Sequence, residues 1–152
     1  GALPSGAGQT TALINTVLAL LASTMTTFGL TPLLEDGKLN TAAIQNATLA
    51  GGVSIGATAN LVGPFGAVVI GGLAGLLSTW GFIKTPLFSD CDTCGIHNLH
   101  GMPGIFGGLV SIVVPFLYAD TGVSALMQLL GLAITLAFAC ATGAGTGYVL
   151  KL

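Results

Sequence analysis

Residues 39–83 read LNTAAIQNATLAGGVSIGATANLVGPFGAVVIGGLAGLLSTWGFI and contain no charged side chain. A helix that crosses the roughly 30 Å hydrocarbon core of a membrane needs about 20 apolar residues, so this run is long enough for two crossings. The segment 60–66 (NLVGPFG), with Pro64 between two glycines, has the composition of a turn and divides the run. The stretch therefore predicts two membrane spans, near residues 41–60 and 65–84.

The few charges divide the rest of the chain in the same way. The 152 residues include three Lys and five Asp or Glu, and 53% of them are hydrophobic, whereas about 25% of residues are charged in a typical soluble domain. Further charge-free runs predict spans near 9–30, 98–117 and 123–150. We therefore predict an all-α, polytopic transmembrane helix bundle of five spans in a lipid bilayer, forming a single transmembrane region over residues 1–152. The net charge of −2 leaves no basic surface for nucleic acid.

The lysines predict an orientation. With five spans, the loops containing Lys38 and Lys84 and the C-terminus with Lys151 fall on one side of the membrane. Positively charged loops stay cytoplasmic, so we expect a multi-pass protein of the cell membrane, plasma or inner, with a cytoplasmic C-terminus. The Gly-rich opening without an initiator Met and the odd number of spans are typical of one half of a transporter built from two inverted repeats.

Most of the side chains that carry chemistry lie in residues 90–108 (DCDTCGIHNLHGMPGIFGG). Cys91, Cys94, His97 and His100 are spaced by threes, and Cys and His are the usual ligands of zinc. Closed zinc sites, however, usually separate their two ligand pairs by about a dozen residues or more. We therefore predict no metal site and keep a metal-binding membrane protein using these four residues as an alternative. No nucleophile constellation is present, and we predict neither an enzyme nor a cofactor.

The two histidines lie where ionisable groups are expensive. His100 is eight positions beyond Asp92, the last charge before a nearly wholly apolar helix, and His97 is one turn nearer the cytoplasm. An ionisable residue inside a span by default marks a substrate or proton path. Because a neutral imidazole both donates and accepts a hydrogen bond, His100 and His97 are candidate pore residues. The alternative for each is a His satisfied by a neighbouring helix carbonyl.

Other polar and small residues in the spans predict helix packing. Asn15, Gln45 and Asn46 lie inside predicted spans, and we expect them to form hydrogen bonds between helices rather than to bind a ligand. Glycines four residues apart, such as Gly71 and Gly75, predict close approach of helix backbones.

One motif carries a family resemblance. The segment 100–107 (HGMPGIFG) resembles the HGxxGIxG signature of the ammonium transporter superfamily. The segments 92–104 (DTCGIHNLHGMPG) and 44–52 (IQNATLAGG) resemble its Rh, or Rhesus-glycoprotein, branch, and 63–75 (GPFGAVVIGGLAG) and 13–16 (LINT) extend the similarity over essentially the whole chain. The resemblance implies that these spans are the seventh to eleventh helices of an eleven-helix core.

The resemblance also implies site residues. The family's pore contains two hydrogen-bonded histidines, and the motif identifies the second as His100, whose partner belongs to a first repeat that is absent from this sequence. Asp92 matches a family Asp at the inner end of the same helix, and we expect it to cap that helix. Ile96, His97 and Asn98, within one turn of His100, are candidates for the inner part of the path. The resemblance further implies a homotrimer.

The function implied is conduction of ammonia or ammonium, and of methylammonium. A narrow apolar pore would impose a large desolvation penalty on an ion, so such a pore favours neutral ammonia. Whether the proton follows by a separate route distinguishes a channel from an electrogenic transporter, and the sequence leaves both open. A carbon dioxide or other neutral gas channel, which an apolar pore also suits, is the alternative.

Overall fold

The computed structural model describes residues 6–84, 92–118 and 122–151. These residues form five α-helices and one π-helical turn. In chain order they are α1 (Ala7–Leu34), α2 (Thr41–Ile55), α3 (Pro64–Lys84), the π-helical turn (His97–Gly101), α4 (Met102–Leu117) and α5 (Ala125–Lys151). The described part of the chain is therefore helical, as the charge-free runs predict.

Four segments are long and apolar enough to cross a membrane, namely α1, α3, the π-helical turn with α4, and α5. The expected span near 41–60 differs, because α2 ends at Ile55 after 15 residues. A helix of that length is about 22 Å long at 1.5 Å per residue. Beyond Ile55 the chain continues in tight turns, in which Thr58 N–H donates to the Ile55 carbonyl at 2.9 Å and Leu61 N–H to the Thr58 carbonyl at 2.9 Å.

Asn15 of α1 explains how the chain leaves the helix there. Its side chain is fully buried, and Nδ2 donates to the carbonyl oxygens of Ala59 at 2.8 Å and Val62 at 2.7 Å. Irregular backbone at membrane depth is tolerated only where its polar groups find partners within the protein. Asn15 therefore stabilises the connection between α2 and α3, so the hydrogen bonds expected between helices go from α1 to this connection instead.

The closest helix packing is that of α1 against its two neighbours. Gly71 and Gly75 of α3 face the backbone of Ala19 and Ser23, and a Cβ on Gly75 would lie 2.5 Å from the Ser23 carbonyl oxygen. Gly51 of α2 lies against the Ala19 backbone in the same way. Because any larger residue would force these helices apart, the glycine pair predicted for close packing at Gly71 and Gly75 does serve that purpose.

Buried hydroxyls join the same three helices. Ser23 Oγ donates to the Ala47 carbonyl of α2, and Thr79 Oγ1 of α3 donates to Thr27 Oγ1 of α1 at 2.9 Å. All three hydroxyl residues are fully buried. In lipid, where water offers no competing partner, such bonds hold helices together. The segment from α1 to α3 is therefore one interlocked unit.

The last helix is attached more loosely. None of the residues of α5 is buried. Its contact is with α4, where a Cβ on Gly108 would lie 2.6 Å from Leu132 Cδ1. The remaining length of α5 leaves Gly143, Gly145 and Gly147 with no heavy atom near enough to touch an added Cβ.

Candidate functional site

The candidate pore residues lie on the π-helical turn His97–Gly101. Here the Met102 N–H donates to the His97 carbonyl, five residues back rather than the four of an α-helix. Pro103 follows directly, and it has no N–H to donate and a ring that clashes with the carbonyl four residues back in a regular helix. The proline thus accounts for a local widening of the helix, a feature that often occurs at functional sites.

Asp92 closes the N-terminal end of this turn. Its Oδ1 accepts from Ile96 N–H at 2.7 Å and its Oδ2 from His97 N–H at 2.7 Å, so the carboxylate binds two amides at the N-terminal end of the turn. The hydrogen bond from His97 N–H, assisted by that from Ile96 N–H and by the His97 imidazole, holds the pKa of Asp92 below its ordinary value. The lowered pKa favours the ionised carboxylate, which fixes the residue before the wide turn and the first residue of the turn.

The loop before the turn is anchored to α2 and α3. Gly95 has a φ of +70°, a conformation that side chains rarely adopt. A Cβ there would lie 2.8 Å from the Phe82 ring and 2.9 Å from Asn46 Nδ2. Asn46 Nδ2 also donates to the Cys94 carbonyl at 3.4 Å, so the bond expected between helices goes to this loop instead. Gln45, the third of the polar span residues, is exposed.

The two histidines have different environments. His100 is exposed on the part of the chain that the structure describes, as is Ile96, at 52% of its surface. His97 is partly buried, and its ring lies over Gly101, where a Cβ would be 3.0 Å from His97 Nδ1. Because a π-turn rotates less per residue than an α-helix, residues three apart diverge further around the helix axis.

Asn98 faces away from that exposed surface. Only 4% of its surface is exposed, and its Oδ1 has no hydrogen-bond partner in the described residues. The oxygen lies beside Gly81 of α3. A Cβ added to Gly81 would be 2.5 Å from Asn98 Oδ1 and 2.9 Å from Met102 Sδ. Asn98, one of the candidate path residues, is therefore in contact with α3.

The start of α4 is held to α2 by one hydroxyl. Ser54 Oγ is fully buried and lies within hydrogen-bond distance of both the Ala50 carbonyl, at 3.0 Å, and the Pro103 carbonyl, at 3.1 Å. Gly107, one turn further, packs directly on the Ser54 backbone. Contacts with both α2 and α3 thus fix the turn that carries His100.

The metal alternative involves Cys94, His97 and His100 of the described residues. Within the described ranges, no three His, Cys, Asp or Glu side chains come together as a group able to hold a metal ion. Cys94 has an exposed free thiol. Cys91 lies outside the described residues.

Comparison with known proteins identifies the family. The model of the Ammonium Transporter Family matches residues 2–152. The chain belongs to the ammonium transporter family. It is 43% identical to the bovine (Bos taurus) ammonium transporter Rh type A over 95% of its own length and 35% of the relative's. Against the human (Homo sapiens) ammonium transporter Rh type B it is 43% identical, over 97% of this chain and 38% of that protein.

This member of the ammonium transporter family also resembles a solved structure of Nitrosomonas europaea Rh50, a protein of the Rhesus family of channels. The identity is 39% and the TM-score 0.86, over 99% of this chain and 39% of that one. The predicted resemblance to the Rh branch and the predicted transmembrane helix bundle are confirmed. The chain thus spans less than two fifths of the length of these relatives, which are transporters and channels rather than enzymes.

Nothing in the sequence of this chain marks two of the residues at this site as part of it. Gly81 follows Trp80 in an apolar helix, where nothing distinguishes it from any other helix-packing glycine. Gly95 ends the segment DTCG, whose composition is typical of a turn, but the sequence does not identify Phe82 and Asn46 as its neighbours. Both glycines matter because of contacts between segments distant in sequence.

Proposed function

We propose that this chain contributes the His100 side of a membrane path that conducts ammonia, taking up ammonium or methylammonium and releasing the neutral amine to the pore. The observation that carries the proposal is the placement of His100. The imidazole is exposed on a π-helical turn that opens an apolar span, in a chain of the ammonium transporter family. The names of the relatives, which are ammonium transporters, support the same substrate.

The surface beyond His100 supports passage of a neutral molecule. Exposed apolar side chains recur every three or four residues along α4, at Ile105, Leu109, Val113 and Phe116. Such a surface offers no hydrogen bond to a hydrated cation, so an ion would lose its water without replacement. Ammonia, which has no charge, loses far less. A neutral His100 can hold ammonia as either donor or acceptor.

In this proposal the remaining path residues act on the inner side of His100. Ile96 contributes apolar surface and His97 a second imidazole, while a histidine from a first repeat pairs with His100. Asp92 maintains the turn as its cap and does not take part in transport. Ammonium loses a proton at the outer mouth, and ammonia takes up a proton on the inner side. Carbon dioxide is the competing permeant, since an apolar surface also admits it.

The same proposal includes orientation and assembly. Lys84 Nζ donates to the Leu34 carbonyl at 3.2 Å, so the C-terminal ends of α1 and α3 lie together beside the loop that contains Lys38. Lysines at one end support a cytoplasmic location for that end, and Lys151 at the end of α5 extends the argument to the C-terminus. We propose a homotrimer on family grounds.

The test replaces His100 with Ala in the full-length protein reconstituted in liposomes. We expect uptake of ammonium and methylammonium to be lost or to change selectivity, while trimer assembly is unchanged. Thr142→Ala is the matched control, because Thr142 is exposed on α5 and its hydroxyl bonds only to carbonyls of its own helix. Selective uptake by His100→Ala equal to that of the unchanged protein would contradict the proposal.

A parallel measurement separates the two permeants. Carbon dioxide permeability is recorded in the same liposomes as ammonium uptake. The proposal expects His100→Ala to affect ammonium uptake far more than gas permeability, because carbon dioxide has no N–H to donate. A high gas permeability with no ammonium uptake in the unchanged protein would favour the gas channel.

A further inference from the structure

The turn that carries His100 comes close to α3 where Asn98 meets Gly81. Asn98 Oδ1 lies against Gly81, and an added Cβ on Gly81 would be 2.5 Å from that oxygen. Real Cβ atoms do not approach an oxygen so closely, so the space exists only because residue 81 is a glycine. Asn98 is 4% exposed and Gly81 is buried, so this contact lies inside the protein, away from the exposed His100.

We propose that Gly81 and Asn98 are positioning residues that set where His100 stands relative to α3. The inference rests on the proposed conduction through His100. Asn98 and His100 lie within the same hydrogen-bonded turn, which Met102 N–H closes on the His97 carbonyl. A displacement of Asn98 away from α3 is therefore transmitted to His100, two residues on.

The chemistry of the contact distinguishes it from ordinary core packing. Asn98 Oδ1 is buried without a hydrogen-bond partner in the described chain. A buried unsatisfied acceptor costs about 1–3 kcal/mol, and an apolar side chain would fill the same space without that cost. Met102 Sδ would also meet a Cβ at residue 81, at 2.9 Å, but an unbranched thioether can move aside. Asn98 is short and 4% exposed, so its carboxamide has little free space to rotate into and we expect the turn to shift with it.

The experiment is a double-mutant cycle in the full-length protein in liposomes. We expect Gly81→Ala to lower ammonium uptake per folded molecule by about tenfold, because small displacements of a reacting group have large effects on rate. Asn98→Ala, which loosens the contact without a clash, should lower uptake by about threefold. In the double variant the new methyl occupies the space left by the carboxamide, so uptake should be no lower than in Asn98→Ala.

Coupling between the two sites is the decisive result. Independent effects would multiply to a loss of about thirtyfold in the double variant, and that outcome would overturn the inference. Uptake by Gly81→Ala equal to that of the unchanged protein would overturn it as well. If the unchanged protein and Asn98→Ala both fail to conduct ammonium, the proposed function fails instead, and the two failures are therefore distinguishable.

A second readout separates positioning from stability. The ratio of methylammonium to ammonium uptake and its pH dependence report the geometry around His100 and do not depend on how much protein is folded. We expect Gly81→Ala to change both. Gly75→Ala is the matched control, because it lies on the same helix and its Cβ would also be 2.5 Å from an oxygen, that of the Ser23 carbonyl in α1. It should lower the folded yield and leave the ratio unchanged.

A third variant covers the case in which Gly81→Ala does not assemble. Asn98→Gln keeps the amide and lengthens the side chain by one methylene toward Gly81. We expect Asn98→Gln to lower ammonium uptake by about tenfold, which is more than Asn98→Ala lowers it. It should also change the ratio of methylammonium to ammonium uptake. Uptake and ratio in Asn98→Gln equal to those of the unchanged protein would overturn the inference.

Discussion

The unit formed by α1, α2 and α3 and the segment formed by α4 and α5 differ in how much of their surface is packed against other helices. In the first, Gly71 and Gly75 bring helix backbones into contact, and the buried hydroxyls of Ser23, Thr27 and Thr79 bond across the helices. In the second, no residue of α5 is buried, the π-helical turn exposes His100, and α4 exposes an apolar stripe.

This difference separates a packed scaffold from the exposed surface that we propose conducts ammonia. The first unit is held together by close backbone contacts and by hydroxyls that bond across its helices, so it supplies rigidity. The His100 turn is built on that unit through Ser54, Asn98 and Gly95, while its other face is left uncovered by the described chain. Substitutions in the first unit should therefore affect folding, and those at the turn should affect conduction.

The largest effect is expected from Gly71→Val. The new side chain would collide with the Ala19 backbone of α1, which cannot move without separating the two helices. We expect a loss of about 3 kcal/mol in the free energy of unfolding, measured by thermal unfolding in detergent. The control is Gly143→Val on α5, where nothing lies near an added Cβ. Equal free energies of unfolding for the two variants would contradict the claim that α3 is packed more closely than α5.

Asn15→Ala tests the irregular end of α2. The change leaves the carbonyls of Ala59 and Val62 without the Nδ2 donor, and we expect a loss of about 2 kcal/mol in the free energy of unfolding. Thr16→Ala is the matched control, because the Thr16 hydroxyl bonds only to the Ala12 carbonyl of its own helix. A stability of Asn15→Ala no lower than that of Thr16→Ala would show that the connection does not need this bond.

The smallest effect is expected from Asp92→Asn at the exposed turn. The pKa of Asp92 is lowered in the folded protein, so its ionised form stabilises the turn. That contribution is complete above about pH 4, the ordinary Asp pKa, and is lost as the pH falls through the lower folded pKa. We expect hydrogen-exchange protection of the Ile96 and His97 amides to fall with acid in the unchanged protein and to vary little in Asp92→Asn. Identical profiles would contradict the capping role.

The sequence predicts helix limits well where charge sets them. The ends expected near residues 30 and 84 correspond to Leu34, which the charged Glu35 follows, and to the charged Lys84, because charged groups favour water. The limit expected near residue 60 has no charge to mark it, and α2 ends at Ile55 instead. That end depends on Asn15, which is 44 residues from Ala59 in the chain.

The candidate site divides in the same manner. The motif beginning at His100 is a local pattern, and the sequence identifies it together with Asp92 as a cap candidate. The role of Asn98 is not local, because whether it faces a path or packs on α3 depends on Gly81, which lies on a different helix. The π-turn has a visible cause in Pro103, but its effect on the two histidines requires the actual backbone.

By itself, then, the sequence determined that this is a membrane protein, roughly which residues of its helices cross the membrane, and which family it resembles. Those properties follow from the free energy of transferring side chains between water and lipid and from short motifs. Both depend only on residues that are consecutive in the chain. Only the tertiary structure decided which helix is short, which asparagine supports it and which glycine of α3 contacts the turn that carries His100. Those properties depend on contacts of a few ångströms between helices, and no run of consecutive residues specifies them.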